Sequence, residues 1–278
     1  MTHNSPQACR QFAHEHTRRS FGEHLRFWRQ HRRLSQLELA HVADVSTRHL
    51  SFVETGRSEP SREMVLRLSE RLDIPLRERN TLLVAAGFAP LYRERPLADP
   101  ALGQAQQAVE LILKSHEPCP ALAIDRHWNL IAANRLIPHL LLGVDASLLQ
   151  APLNVLRLSL HPLGLATKIV NLTQWRSHIF ERLRQQISST ADPVLAALLE
   201  ELRSYPVPEG SSTDRLEGEY LGVAMPLRLK TQTGVLAFIS TTTIFGTAVD
   251  VTLQELALET FFPADDFTMQ HLRALAAL

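Results

Sequence analysis

No apolar run in this 278-residue chain approaches the length of a bilayer span, so the sequence offers no membrane segment. The opening residues, Met1–Arg19, are polar and lack the apolar centre of a secretory signal; they read as a flexible arm. Cysteine is nearly absent. Cys9 and Cys119 lie in different segments, which argues against a disulfide framework and fits a reducing cytoplasm. Missing too are a phosphate-cradling glycine loop, a GxSxG elbow, an HExxH pair and a CxxC pair. The sequence therefore shows no catalytic residues, no cofactor and no metal site, and it does not read as an enzyme. His14-Glu15-His16, close to Cys9, has the right chemistry for a metal, but in a polar arm it reads as incidental.

What the chain does have is enough apolar material for more than one core. At 278 residues, with 45% hydrophobic and 21% charged residues, it suggests two globular domains. The net charge is zero only by cancellation. Residues 1–95 hold 16 cations, all arginine, against 11 acidic residues, whereas residues 96–278 hold 13 against 18. A basic half suits a polyanion, and arginine suits forked phosphate contacts. Between the halves, Ala89–Pro100 carries three prolines and breaks all periodicity, as a semi-rigid connector does.

The basic half is written in helix punctuation. Ser20 is followed three residues later by Glu23, and Ser35 by Glu38, two capping boxes that open helices at about Phe21–His31 and Gln36–Ala43. Phe21, Leu25 and Trp28 form one inward stripe, and Leu39, small Ala40 and Ala43 another. Val45 plugs a turn, Ser46 caps a third helix at about Thr47–Thr55 that buries Leu50 and Val53, and Gly56 suits its end. Pro60-Ser61 opens a fourth helix with Val65, Leu66, Leu68 and Leu72. A fifth, about Leu76–Ala86, ends at Gly87. Short helices with a tight turn before the third make a helix-turn-helix, whose geometry sets one helix in the major groove of DNA.

Residues 21–76 closely resemble the Xre/Cro/λ-repressor-like helix-turn-helix family. The resemblance is carried by Leu34-Ser35-Gln36, Leu39-Ala40, Val45-Ser46, Leu50, Val53-Glu54, Gly56, Pro60, Leu66 and Leu68. Asp44 departs from it, standing where the family most often has glycine, although Asp tolerates left-handed backbone better than most residues. In such a fold Thr47, Arg48 and Ser51 face the bases, Gln36, Thr55 and Arg57 meet phosphates near helix ends, Ser46 caps the reading helix, and His49 serves either face.

The acidic half mixes elements. A helix is expected at about Leu102–His116. Pro120–Ile124 and Trp128–Ala133 read as a hairpin turning at Asp125-Arg126-His127, followed by a helix at about Arg135–Leu142. Asn154–Leu160 fits strand or helix. Helices follow from Thr173 to about Ile187 and from Asp192-Pro193 to about Tyr205, before a Pro/Gly/Ser-rich loop at Pro206–Ser212. The period then changes to two: Val223, Met225, Leu227 and Leu229 alternate with polar or small residues, Thr231–Gly234 turns, and Val235–Ile244 returns. Val249–Leu258 fits strand or short helix, and Pro263–Leu278 reads as an amphipathic closing helix starting near Asp265-Asp266. Antiparallel strands with helices make an α+β domain.

The segment Pro120–Asn134 closely resembles the first strand pair of the ligand-binding domain of MmyB-like transcription regulators. Ala86–Arg95, Pro193–Leu202 and Val251–Pro263 are similar to that family as well, in the right order. The resemblance implies a PAS-like domain for a small, apolar, fatty-acid-like molecule, and the long Tyr220–Phe262 region departs from the family's common form. Trp175, Ile179, Phe180, Met225, Leu227 and Phe238, with Phe245, are the candidate walls, and Arg176 or His178 could meet a carboxylate.

The expected organisation is an arm at 1–19, an all-α five-helix DNA-binding domain at 20–88, a connector at 89–100 and a PAS-like α+β domain at 101–278. The expected function is a cytoplasmic, homodimeric regulator that binds double-stranded DNA and responds to an apolar ligand. The alternative is an autoregulating DNA-binding protein whose C-terminal half binds a protein partner.

Overall fold

The computed structural model describes residues 19–96, 99–207, 225–245 and 250–277. The metal-like trio His14-Glu15-His16, Cys9, residues 1–18 of the arm, residues 208–212 of the Pro/Gly/Ser loop, Val223, Val249 and Leu278 lie outside the described residues. The chain divides into two units. One comprises Met1–Glu94, Gln185–Ala196 and Val249–Val251, and the other comprises Arg95–Arg184, Ala197–Ala248 and Thr252–Leu278.

Among the described residues, the stretch 19–94 of the first unit contains five helices: α1 (Phe21–His31), α2 (Gln36–Val42), α3 (Thr47–Glu54), α4 (Arg62–Arg71) and α5 (Leu76–Ala85). Both capping boxes close as their spacing dictates. The Ser20 and Ser35 side chains accept from the Glu23 and Glu38 amides, and each glutamate accepts from its serine's backbone N–H. These bonds hold the Glu23 and Glu38 carboxyls below the ordinary carboxylate range. Ser61 caps α4 with its side chain alone, which accepts from the Met64 amide. The helices meet in one core that includes Leu25, Trp28, Leu39, Leu50, Val53, Val65, Leu68 and Leu82.

In the second unit, α6 (Gly103–Ser115) is followed by β1 (Ala121–Ile124) and β2 (Leu130–Ala133), a short α7 (Ile137–Leu140), α8 (Val155–Leu160) and α9 (Leu172–Thr190). α9 continues into the first unit's Gln185–Ala196 stretch and precedes α10 (Pro193–Ser204). Then come β3 (Leu227–Lys230), β4 (Val235–Ile244), α11 (Val251–Gln254), β5 (Ala257–Pro263) and α12 (Asp266–Ala276). The five strands form one antiparallel sheet in the order β2-β1-β5-β4-β3. The period of two sorts its faces. Ala121, Ala123 and Leu258 join Val109 and Leu113 of α6 in one cluster, whereas Leu122, Phe238, Glu259 and Phe261 turn to the other side.

Several sequence expectations shift here. Asn154–Leu160 is helical because the Asn154 side chain accepts from the Leu156 and Arg157 amides and caps α8. Val249–Leu258 resolves into two elements, α11 and the start of β5, and β5 is the central strand of the sheet. The helix expected over Arg135–Leu142 shrinks to Ile137–Leu140, and the closing helix starts at Asp266, where Asp265 accepts from Thr268 N. The first strand of the second hairpin begins at Leu227, later than the alternation suggests. Trp128 is not a strand residue: its φ is +67°, in a turn that the Asp125 carboxylate ties by accepting from the His127 and Asn129 amides. Asp125 therefore builds the turn rather than facing only water.

Candidate nucleic-acid interface and apolar cavity

α3 is held at both ends. At its start Ser46 Oγ accepts from His49 N at 3.1 Å. The preceding turn places Asp44 at φ +51°, the left-handed conformation for which glycine is the common choice, and Val45 N donates to Ala40 O at 3.0 Å. At its end Gly56 sits at φ +72°. Gly56 N donates to Val53 O and Arg57 N to Phe52 O, the paired bonds of a Schellman motif.

The same helix is locked from beneath by one carboxylate. Glu54 has no exposed side-chain surface and accepts from Arg29 Nε at 2.6 Å, Arg29 Nη2 at 2.9 Å and Gln36 Nε2 at 2.8 Å. Arg26 stands 3.6 Å away. Burial pushes the Glu54 carboxyl up, but the bonds from Arg29 and Gln36 and the two arginine charges outweigh it, and the net shift is downward. The Arg29 guanidinium is held above its ordinary value, first by the bond to Glu54. Sequence reading missed this tie between α1, α2 and α3, although Glu54, four residues after Leu50, stands on the buried side of the helix.

With Leu50 and Val53 anchored in the core, the other side of α3 faces outward. Ser46, Thr47, Arg48, Thr55 and Arg57 are exposed, and His49 and Ser51 are half-buried. The Arg48 and Arg57 guanidinium groups flank the Phe52 ring, 5.4 and 5.8 Å from its centroid. The Thr55 hydroxyl donates back to Ser51 O. Gln36 differs from the sequence expectation: half-buried, its amide is partly committed to Glu54.

The second unit holds a partly open apolar cavity of about 110 Å³ between the sheet, α7, α8 and α9. Trp175, Ile179, Leu227 and Phe238 stand on its wall, joined by Trp128, Leu158 and Phe261. Phe180, Met225 and Phe245, expected there, lie off the wall. Phe180 stacks under the Arg176 guanidinium at 5.3 Å, Met225 lies 4.0 Å from Asn171 Nδ2, and Phe245 packs on the α6 side of the sheet. Arg176 is also unavailable to a carboxylate. It is buried and donates to the backbone carbonyls of Leu202, Arg203 and Tyr205 near the end of α10. His178 packs against Trp175 at 5.5 Å. Its pKa is lowered by burial, with the Arg182 charge adding to this and Glu259 opposing it.

Two polar features interrupt the wall. Trp175 Nε1 donates to Ser159 Oγ at 2.9 Å. Arg182 pairs with Glu259, Nη2 to Oε1 at 2.6 Å and Nη1 to Oε2 at 3.2 Å. Thr242 Oγ1 joins both partners, and the guanidinium lies 4.7 Å from the Trp128 centroid. Neither Arg182 nor Glu259 was singled out from the sequence. Their pairing bridges α9 and β5, 77 residues apart in the chain.

Residues 105–275, more than half of the chain, match the MmyB-like transcription regulator ligand binding domain. The chain belongs to the MmyB-like family. In this MmyB-like protein residues 25–79 match the helix-turn-helix family, a span that holds α2, α3 and α4 whole, most of α1 and the start of α5. It is a DNA-binding transcription regulator with a ligand-binding domain. No curated protein matches the chain. Among the described residues of this MmyB-like protein, no three His, Cys, Asp or Glu side chains are grouped to hold a metal, and no helix is long and apolar enough to cross a membrane.

Proposed function

We propose that the protein is a cytoplasmic, homodimeric regulator whose affinity for an operator in double-stranded DNA is changed by a small apolar ligand in the C-terminal cavity. The DNA-binding domain spans 20–88, a connector 89–100 and the ligand domain 101–278, with 1–19 as an arm. The observation that carries the reading is α3 itself: its inner side is anchored by Leu50, Val53 and Glu54, while Thr47 and Arg48 at its first turn stay exposed. A helix fixed this way presents its N-terminal side chains to base edges. Thr47, Arg48 and Ser51 read bases, with His49 beside them. Ser46, Thr55, Arg57 and the free part of the Gln36 amide meet phosphates, which set register without reading sequence.

The cavity supports an apolar ligand by its walls and bounds it by its size. An engineered cavity of about 150 Å³ holds benzene; a pocket of about 110 Å³ takes a ligand of that order or the end of an acyl chain, and a longer fatty-acid-like chain requires the walls to move. Such a ligand shifts operator affinity only by its difference in affinity for the DNA-competent and incompetent arrangements.

Arg48→Ala tests the reading. At fixed salt, affinity for a selected operator should fall by about 1–3 kcal/mol, the cost of a lost bidentate contact to guanine. Affinity for random duplex should fall by no more than about threefold, since one phosphate-neutralising charge at most is lost. An equal loss on both duplexes would remove base reading by Arg48.

A further inference from the structure

We infer that the cavity selects an uncharged ligand and rejects a carboxylate, because the only two charged wall residues among the described residues, Arg182 and Glu259, already neutralise each other. The inference deepens the ligand reading above and rests on it.

Among the described residues lining the cavity, every other side chain is uncharged. Both Arg182 Nη atoms are engaged, by the two Glu259 oxygens and by Thr242 Oγ1. Glu259 is 4% exposed, so its charge has little water to turn to and depends on Arg182. An anionic head group entering here must either compete with Glu259 for the guanidinium or lie beside it as a second negative charge. The first course leaves the buried Glu259 carboxylate unpaired, and the second sets a second negative charge beside it on an apolar wall; both are unfavourable, although the Arg182 side chain, 25% exposed, keeps some contact with water. The two other groups expected from the sequence to meet a carboxylate give no alternative. Arg176 is spent on α10 carbonyls, and burial together with the Arg182 charge favours the neutral His178 imidazole. A neutral hydroxyl or carbonyl carries no such cost. Ser159 Oγ, which accepts from Trp175 Nε1, still has its own proton to donate to it. The ligand class that fits is a compact, uncharged, mainly apolar molecule with one hydrogen-bonding group, such as an alcohol, ketone or ester.

The test uses the whole chain and a matched pair of probes, 1-pentanol and pentanoate, read by fluorescence quenching of Trp128 and Trp175, both on the cavity wall. At pH 8, pentanol is expected to quench saturably, with pentanoate at least about tenfold weaker. Lowering the pH toward 6 should tighten apparent pentanoate binding by about tenfold per unit, because only the protonated acid enters, while pentanol binding stays constant. Glu259→Gln, which leaves the Arg182 charge uncompensated, should move the pentanoate-to-pentanol affinity ratio at least about tenfold toward pentanoate. If that variant does not fold, the wild-type pH series decides alone. Pentanoate binding as tightly as pentanol at pH 8, or a folded Glu259→Gln variant with an unchanged ratio, overturns this inference and leaves the ligand cavity standing. Failure of both probes to quench overturns the ligand reading, and this inference with it.

Discussion

Glu54→Ala is expected to lower the stability of the helix-turn-helix unit by about 3–5 kcal/mol, the cost of removing one partner from a buried ion pair. The deletion leaves Arg29, whose side chain is 11% exposed, without its counter-charge, and it leaves the Gln36 amide without its acceptor. Small domains are stable by about 5–15 kcal/mol, so a large part of the margin goes. The thermal midpoint of that unit should drop by roughly 12–40 °C, at about 4–8 °C per kcal/mol for a domain of this size. The same residue gives a pH signature. Its folded-state pKa is depressed below the ordinary value of 4.5, so its contribution is fully present above the unfolded-state value and is lost as pH falls through the folded one. The stability gap between wild type and Glu54→Ala should therefore hold from neutrality down to about pH 5 and narrow below about pH 4.5. Urea unfolding at several pH values checks both claims. A gap under about 1 kcal/mol at pH 7, or one that widens in acid, would contradict the buried tie.

Gly22→Ala is expected to destabilise the same unit by about 1–2 kcal/mol net, an overpacking cost of up to about 3 kcal/mol set against the helix propensity that favours alanine by about 1 kcal/mol. Gly22 lies in the first turn of α1, where the helix approaches the end of α3. A Cβ there would stand 2.4 Å from Glu54 O and 2.8 Å from Val53 O. These are backbone atoms of α3, and they cannot step aside as a flexible side chain would. The substitution must push α1 and α3 apart and strain the bonds from Arg29 to Glu54. Operator binding should weaken along with stability. Urea titration gives the first effect and a binding isotherm below the unfolding transition gives the second; a variant as stable as wild type would show that the two backbones are not in close contact.

How much of this was legible in the sequence depended on distance along the chain. Ser20/Glu23, Ser35/Glu38, Ser46 and Gly56 act within a few residues of themselves, and the helix boundaries they imply lie within one residue of the structure. Gly22 and Glu54 looked ordinary because the contacts that define them are distant in the chain, 32 residues from Gly22 to Glu54 and 25 and 18 from Glu54 to Arg29 and Gln36, and no local pattern reports a close backbone approach. The second unit followed the same rule. β4 was readable from its alternation, whereas β5 was obscured because Glu259 and Thr260 interrupt its apolar pattern, and Glu259 is satisfied there by Arg182 and Thr242. Trp128 looked like the start of a strand. Its left-handed backbone is enforced by Asp125, and that turn aims the indole at the cavity. Phe180 and Met225 carried the right chemistry for a wall but stand off it, since composition fixes what a side chain prefers and not which space the fold leaves beside it. Asn154 was readable after all: an asparagine before an apolar run is an N-cap signal, and it decides for helix over strand.

Whether α3 enters the major groove is tested most directly by dimethyl sulfate footprinting of a selected operator duplex, which reads guanine N7 in the major groove and adenine N3 in the minor groove in one experiment. A homodimer with Thr47, Arg48 and Ser51 at the bases predicts protected guanine N7 atoms in two half-sites about 34–36 Å apart or a multiple of that spacing. With Arg48→Ala, at least one protected guanine in each half-site should become reactive. Protection confined to adenine N3, or no protection at concentrations that saturate binding, would contradict it.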